Sequence, residues 1–319
     1  MNILGRLLAL CLSVFYCITP YTAPSQKTPI KASADSRLTF VAWADTQVSN
    51  YILKRDPYFT AACEDVANSK TRFDAMLLAG DIVENGLLCE YDHVTEHLPT
   101  KSIRNFIIAS GNHDVRMHPY KTTVRHFTKF TNDLNTTVGS SLSIDALHYQ
   151  YMIKGFTFLV LGTDRTEFEE AYLSDAQLKW LDNALKKATG NGKPVFVTVH
   201  QPFKDSHGLP DTWGSPIPSA GSIGAQSDAL KSILKKYKNI ILISGHLHTG
   251  IGQYTYEKID GIHSVNLPSL TIDNKDGRVT DNGQGFWVEV FRKKVVFHAR
   301  NFALGKDIPK EDFVIRLAK

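Results

Sequence analysis

Cysteine is scarce in this chain, four residues in 319, and two of them, Cys11 and Cys17, fall inside an apolar N-terminal stretch. The remainder, Cys63 and Cys89, allows at most one disulfide; the two either pair or stay as separate buried thiols. Charge of one sign is scarce as well. Lys and Arg number 36 against 32 Asp and Glu, a formal net charge of +4, and the dense basic runs are short ones such as LKKYK at 234–238, suited to the solvated side of a helix. No basic face of the kind a nucleic acid requires is indicated. Long apolar runs are missing too: the run within MNILGRLLALCLSVFYCITP is about a dozen residues, short of the ~20 that span a bilayer. No internal repeat is visible, and 43% apolar with 21% charged residues is enough to bury a core.

The N-terminus reads as a signal peptide over residues 1–23, with Arg6 ahead of the apolar run, and implies a secreted or periplasmic protein. Its cleavage point is open: Thr22-Ala23 is followed by Pro24, whereas the small residues ASA at 32–34 lie far from the apolar run. An uncleaved membrane anchor is the alternative, and the membrane is otherwise not a partner. Residues 24–37, rich in Pro, Ser, Thr and Lys and without periodicity, read as a flexible tether. One domain over 38–319 follows.

Within it, apolar β-rich runs alternate with helical patterns. LTFVAWA (38–44), AMLLA (75–79), NFIIAS (105–110), FTFLVLG (156–162), PVFVTV (194–199) and NIILIS (239–244) have the character of strands buried on both faces. LSDAQLKWLDNALKKATG predicts a helix, with Ser174 and Gln177 as a capping box, a Leu178, Leu181 and Leu185 stripe, and Gly190 at its end. SDALKSILKKYK places Leu230, Ile233, Leu234 and Tyr237 on one side of another. The class is α/β. The C-terminal part, with strands and turns but no helices, predicts an antiparallel extension of the sheets.

Five of these runs end in residues able to bind metal or move protons: Asp45-Thr46-Gln47, Gly80-Asp81, Gly111-Asn112-His113-Asp114, His200, and Gly245-His246-Leu247-His248. Each alone is compatible with an ordinary turn or a satisfied core histidine. Together they are not, because independent turns have no reason to place Asp, Asp, Asn, His and His-x-His successively at strand ends. Ligands in open α/β sheets gather outside the carboxyl ends of the strands, so the five loops are expected at one crevice holding metal.

The ordered set D-x-Q, GD, GNHD, H and GHLH resembles the calcineurin-like metallophosphoesterase family over roughly residues 38–300 of this sequence, and LSDAQLKWL is similar to a helix often found between the third and fourth motifs. The resemblance implies a four-layer α/β/β/α sandwich of two mixed sheets flanked by helices. It also implies two divalent metal ions, manganese foremost, with iron, zinc or magnesium as alternatives. Asp45, Gln47 and His248 would bind the first ion, Asn112, His200 and His246 the second, and Asp81 would bridge both. Two ions about 3.5–4 Å apart neutralise a phosphate ester and acidify a water between them, and the implied reaction is attack by metal-bound hydroxide, with His113 as general acid. Glu84 occupies the place where protein serine/threonine phosphatases have an aspartate supporting this histidine. Asn85 stands where those enzymes have arginine, which argues against that subgroup. Gln47 replaces the histidine of most members, a harder and weaker ligand suited to manganese or magnesium.

Substrate contacts are expected from Asn112 and from Arg116, the latter with a surface ion pair as its alternative role. The loop QPFKDSHGLPDTWGSPIPSAGSIGAQ has the length of a lid; Lys204, His207 and Trp213 could meet substrate there, or Trp213 could pin the loop to the core. The expectation is hydrolysis of a mono- or diester of a small extracytoplasmic phosphorylated substrate. The alternatives are an anion-binding or surface module with impaired catalysis, or a protein phosphatase. Oligomeric state is not legible.

Overall fold

The computed structural model describes residues 27–318 apart from residue 218. The signal peptide expected over residues 1–23 lies outside the described residues. Among the described residues, no helix is long and apolar enough to cross a membrane.

The strands, in chain order, are β1 (Leu38–Trp43), β2 (Ala75–Ala79), β3 (Phe106–Ala109), β4 (Tyr149–Ile153), β5 (Phe156–Val160), β6 (Val195–Thr198), β7 (Ile240–Ser244), β8 (Tyr256–Ile259), β9 (Ile262–Asn266), β10 (Gln284–Val290), β11 (Lys294–Asn301), β12 (Lys306–Asp307) and β13 (Phe313–Arg316). They form two sheets. A seven-stranded sheet runs β12-β11-β10-β1-β2-β3, with β13 pairing β11, and a six-stranded sheet runs β4-β5-β6-β7-β9-β8. Both are mixed. β1, β2 and β3 are parallel while β10 and β11 are antiparallel, and β5, β6, β7 and β9 are parallel between antiparallel edges β4 and β8.

Alternation along the strands explains why both faces are apolar. Phe158, Phe196, Ile241 and Ile243 point into the core between the sheets, whereas Leu159, Val197 and Leu242 belong to an outer cluster with Leu178, Leu181, Leu185, Leu230 and Leu234 of two covering helices. Phe40 of the first sheet meets Phe158 and Phe196 of the second edge-to-face at 5.7 and 5.1 Å, contacts worth about 0.5–1.5 kcal/mol each beyond their burial. Helices Asp56–Ala67, Leu88–His97 and Tyr120–Thr137 cover the outside of the first sheet with Phe59, Val66, Val94, Phe127 and Leu134. The last is also pinned to edge strand β3, because the Asn135 amide exchanges two 2.9 Å hydrogen bonds with the Phe106 backbone. The result is the four-layer α/β/β/α sandwich that the resemblance implied.

Two details differ from the sequence reading, and a third decides between its alternatives. Residues 27–37, expected as tether, are fastened to the body: Ile30 is buried, its carbonyl accepts from Lys70 N, Ala32 N donates to Thr71 Oγ1 at 2.7 Å and Ser33 N to Glu289 Oε1 at 2.7 Å. Those partners are remote in sequence, so local composition carries no sign of them. Ser174 caps the helix Asp175–Ala188 by accepting from Gln177 N, but the Gln177 side chain does not return the bond. It donates instead to Gly162 O and Asp164 Oδ2, at 2.8 and 2.9 Å, because that joins the helix to the end of β5. Cys63 and Cys89 are free thiols, the first buried and the second exposed.

Arg300 on β11 is fully buried and holds the helix Asp56–Ala67 to the sheet. Its Nε and Nη2 grip both Asp65 oxygens at 2.7 and 2.8 Å, Nη1 reaches Asp307 at 2.7 Å, and Nη2 also donates to Thr28 O at 2.8 Å. Removing one partner of such a pair leaves the other charge buried and alone. Arg300→Leu should therefore lower the unfolding free energy by about 3–5 kcal/mol in a denaturant titration, and the double variant with Asp65→Leu should regain much of that loss.

Candidate metal centre

The carboxyl ends of β1, β2, β3, β6 and β7 face one another across the two sheets, and the residues following them leave the strands abruptly. Asp45, Gln47, Asp81, His246 and His248 all have left-handed backbones, with φ between 33° and 75°. For residues other than glycine that conformation costs on the order of 1–3 kcal/mol each, so something must hold it. Asp45 N donates to Gly80 O and Gln47 N to Asp81 O. Ser269 Oγ and Thr271 Oγ1 donate to the carbonyls of Asp45 and Thr46, at 3.1 and 2.7 Å, and His246 N donates to Asp45 Oδ2 at 3.0 Å.

Two motif glycines have a steric explanation. A Cβ at Gly111 would lie 2.0 Å from Asp81 Oδ1, and one at Gly245 would lie 2.6 Å from Asp45 Oδ2. Each carboxylate occupies the space that a side chain on the neighbouring loop would need.

The structure brings Asp45, Asp81, His200, His246 and His248 together at this crevice, with Gln47 and Asn112 on the loops that bond to Asp81. Donor atoms of Asp81, His200 and His246 lie within 4.8 Å of one another, as do those of Asp45, Asp81 and His248, so Asp81 is common to both groups. His248 Nε2 is 3.2 Å from Asp45 Oδ1, and His200 Nε2 is 3.1 Å from Asp81 Oδ2 and 3.7 Å from Asp45 Oδ1. His200 Nδ1 sits 2.8 Å from Ala79 O, which fixes the ring and aims Nε2 at the carboxylates.

Gln47 and Asn112 complete the set with amide oxygens. Gln47 Oε1, Asn112 Oδ1, His200 Nε2 and His246 Nε2 are all buried without a hydrogen-bond partner. Asn112 is oriented from behind, its Nδ2 donating to Glu169 Oε2 at 2.9 Å. Buried polar atoms are nearly always paired, and unpartnered donor atoms on the loops around these carboxylates fit bound cations.

The electrostatics agree. Burial works against charging His200, but Asp81 and Asp45 outweigh it and push the imidazole up to about 10. Burial opposes the Asp81 charge as well, yet His200 foremost holds that carboxyl well below the usual range. Burial and then the charge of His200 push His246 well below its ordinary value. A field that protonates one imidazole and keeps its neighbour neutral is one that attracts positive charge.

His113 stands at the rim. Its backbone N–H donates to Asp81 Oδ1 at 2.8 Å and its Nε2 lies 4.0 Å from Asp81 Oδ2. Nδ1 is 3.3 Å from Glu84 Oε1 and 3.0 Å from the Glu84 carbonyl. Glu84 in turn pairs with Arg55, which also donates to Gln47 O at 2.9 Å. Burial disfavours protonated His113, but Glu84 and Asp81 outweigh it and raise its pKa. Arg116 is engaged: its guanidinium is 3.2 Å from Glu169 Oε1 and 2.9 Å from His113 Nδ1, and lies over the Phe168 ring. The ion pair is the role the structure displays for it.

In the long loop, His207 is a core residue, bonded through Nδ1 to Tyr254 O and through Nε2 to Ser264 Oγ, and Lys204 pairs with Asp228 at the surface. Trp213 stacks on His246, ring centres 4.5 Å apart and 22° from parallel. Asn85 binds Glu90 through its backbone and its amide.

Two contributors, Glu169 and Asn266, escaped the sequence reading, and Asp114 was named there without a role of its own. Asp114 accepts from Gly111 N, Ile82 N, Val83 N and Tyr91 OH, at 2.8 to 3.3 Å; burial and the nearby Asp81 raise its pKa to about 7. It knits the Asp81 loop to the Asn112 loop, and its place inside GNHD was the available signal. Glu169 lies 57 residues from Asn112 with nothing in its local sequence to mark it. Asn266 braces the histidine loop from Gly245 O and Ser244 Oγ.

The family model for calcineurin-like phosphoesterases matches residues 39–250. A probable cyclic nucleotide phosphodiesterase of Ruthia magnifica subsp. Calyptogena magnifica is 23% identical over 220 residues, covering 66% of this chain and 79% of the relative. A probable glycerophosphodiester phosphodiesterase of Arcobacter nitrofigilis is 24% identical over 186 residues, covering 57% of this chain and 59% of the relative. A dimetal phosphatase from Danio rerio superposes with a TM-score of 0.57 at 15% identity, covering 89% of this chain and 100% of that one. A purple acid phosphatase from yellow lupin gives 0.59 at 15% identity, covering 91% and 55%; these two likenesses concern the fold alone. The family match runs through every strand end that supplies the cluster, from Asp45 to His248, and the chain belongs to the calcineurin-like phosphoesterase family.

Proposed function

We propose that the protein is a phosphodiesterase that works with two divalent cations on a small phosphorylated substrate, a cyclic nucleotide or glycerophosphodiester being the class its named relatives suggest. The observation that carries this reading is the Asp81 carboxylate shared by two donor groups and surrounded by buried, unpartnered donor atoms. Asp45, Gln47, Asp81 and His248 would hold one cation, and Asp81, Asn112, His200 and His246 the other. When bound, the cations supply charge neutralisation for the ester and a nucleophile from water at neutral pH.

The chain itself supplies the proton. Glu84 accepts the Nδ1 proton of His113, and its charge with that of Asp81 favours the doubly protonated ring, which carries its second proton on Nε2, the nitrogen on the cluster side, for the departing oxygen. Asn112 doubles as a contact to the substrate phosphate, while Arg116 and Glu169 form the rim beside it. Manganese is the preferred cation because the Gln47 amide oxygen is harder than imidazole. The apolar segment at residues 1–23 supports an exported enzyme and an extracytoplasmic substrate.

Metal-free protein should be inactive and should recover hydrolysis of a bis-aryl phosphate diester on adding manganese, faster than the corresponding aryl monoester. No turnover above the metal-free baseline would leave a binding module in place of an enzyme. His113→Asn should slow hydrolysis of diesters with alkyl leaving groups by roughly 10²–10⁴-fold while scarcely affecting nitrophenolate release, which needs no acid; equal losses on both would mean that His113 only holds the loop. Gln47→His should tighten zinc binding at the first position in a metal titration, and unchanged affinity would count against a ligand role for Gln47.

A further inference from the structure

The helix Leu88–His97 carries a second concentration of donors, away from the Asp81 cluster. His93, Glu96 and His97 place ligand-capable atoms within 4.8 Å of one another. Imidazoles at i and i+4 share a helix face, the spacing by which a helix gives two ligands to one ion. The His93 and His97 rings lie 4.6 Å apart. His97 Nδ1 is 2.9 Å from the His93 carbonyl, and donation there leaves the Nε2 lone pair free for a cation.

The neighbouring helix brings a carboxylate to one member of the group. Asp56 Oδ1 lies 3.4 Å from His93 Nε2, and both atoms are shielded from solvent without a hydrogen-bond partner. That separation is too long for a good hydrogen bond. It is the spacing of two ligands on a tetrahedral ion, since bonds of about 2.0–2.1 Å at the tetrahedral angle put their ends about 3.3–3.4 Å apart.

We propose that Asp56, His93, Glu96 and His97 form a metal site separate from the catalytic cluster, for a borderline divalent cation of which zinc is the best match. Two imidazoles and two carboxylates balance a divalent charge, and such a nitrogen-containing, four-donor set suits zinc over magnesium or calcium, which require more oxygens. The ion would staple the start of one helix to the end of the other. Asp56 directly follows Arg55, the partner of Glu84, so the staple would also steady the outer end of the Arg55, Glu84 and His113 chain.

Zinc added to metal-free full-length protein, with bound metal counted after removal of free zinc, should give one more equivalent in the wild type than in His93→Gln or His97→Gln. That difference of one holds whatever the catalytic cluster contains. Zinc should also raise the thermal midpoint of the wild type more than that of either variant, and Asp56→Asn should weaken the extra equivalent at least tenfold. Turnover by His97→Gln with saturating manganese should match the wild type and so verify its fold. Equal zinc content in the wild type and both histidine variants would overturn the proposal.

Discussion

Asp81 is the point on which the site turns. Its carboxylate fills the space of a missing Gly111 side chain, accepts the His113 N–H, lies 3.1 Å from His200 and belongs to both donor groups. A fully buried carboxylate would ordinarily be forced toward neutrality by desolvation. Here surrounding imidazoles reverse that tendency, and the carboxyl is held ionised. The geometry of everything near it follows, because a left-handed Asp81 backbone and a side-chain-free Gly111 are two halves of one packing solution.

The sandwich makes that solution available. Parallel strands β1, β2 and β3 in one sheet and β6 and β7 in the other bring their carboxyl ends to the same edge, where the inter-sheet core around Phe40, Phe158 and Phe196 fixes the distance between the two sets of loops. Asp114 and Asn266 then brace the loops against their backbone strain. Rigid strands set the coarse positions and buried polar braces the fine ones, a division that suits a site whose donors must converge to within ångströms.

Much of this could be read from the chain. The six leading apolar runs become β1, β2, β3, β5, β6 and β7, because a strand buried on both faces leaves an unbroken apolar signal. Asp45, Asp81, His200, His246 and His248 meet at the crevice, because each sits one to four positions beyond such a run. What stayed hidden depends on contacts across the chain: Glu169 behind Asn112, Trp213 stacked on His246, the anchoring of Ile30 beneath Lys70, and the preference of the Gln177 amide for Gly162 over its own helix cap. The pairing of Asp56 with His93 was equally silent, since neither residue follows a strand. Local pattern reports which face a residue takes, and carries no information on its partner from another layer.

The donors are spread from Asp45 to His248, and His246 bonds to Asp45 at a sequence separation of 201. No stretch of the polypeptide that stops short of His246 contains either donor group, and a nascent chain cannot assemble one until that residue has been made and the strands of both sheets that carry the donors have come together. Metal acquisition is thereby deferred to the end of folding, and the ions taken up are those of the compartment in which folding finishes. Intrinsic ligand preference sets only part of the choice; geography and timing set the rest.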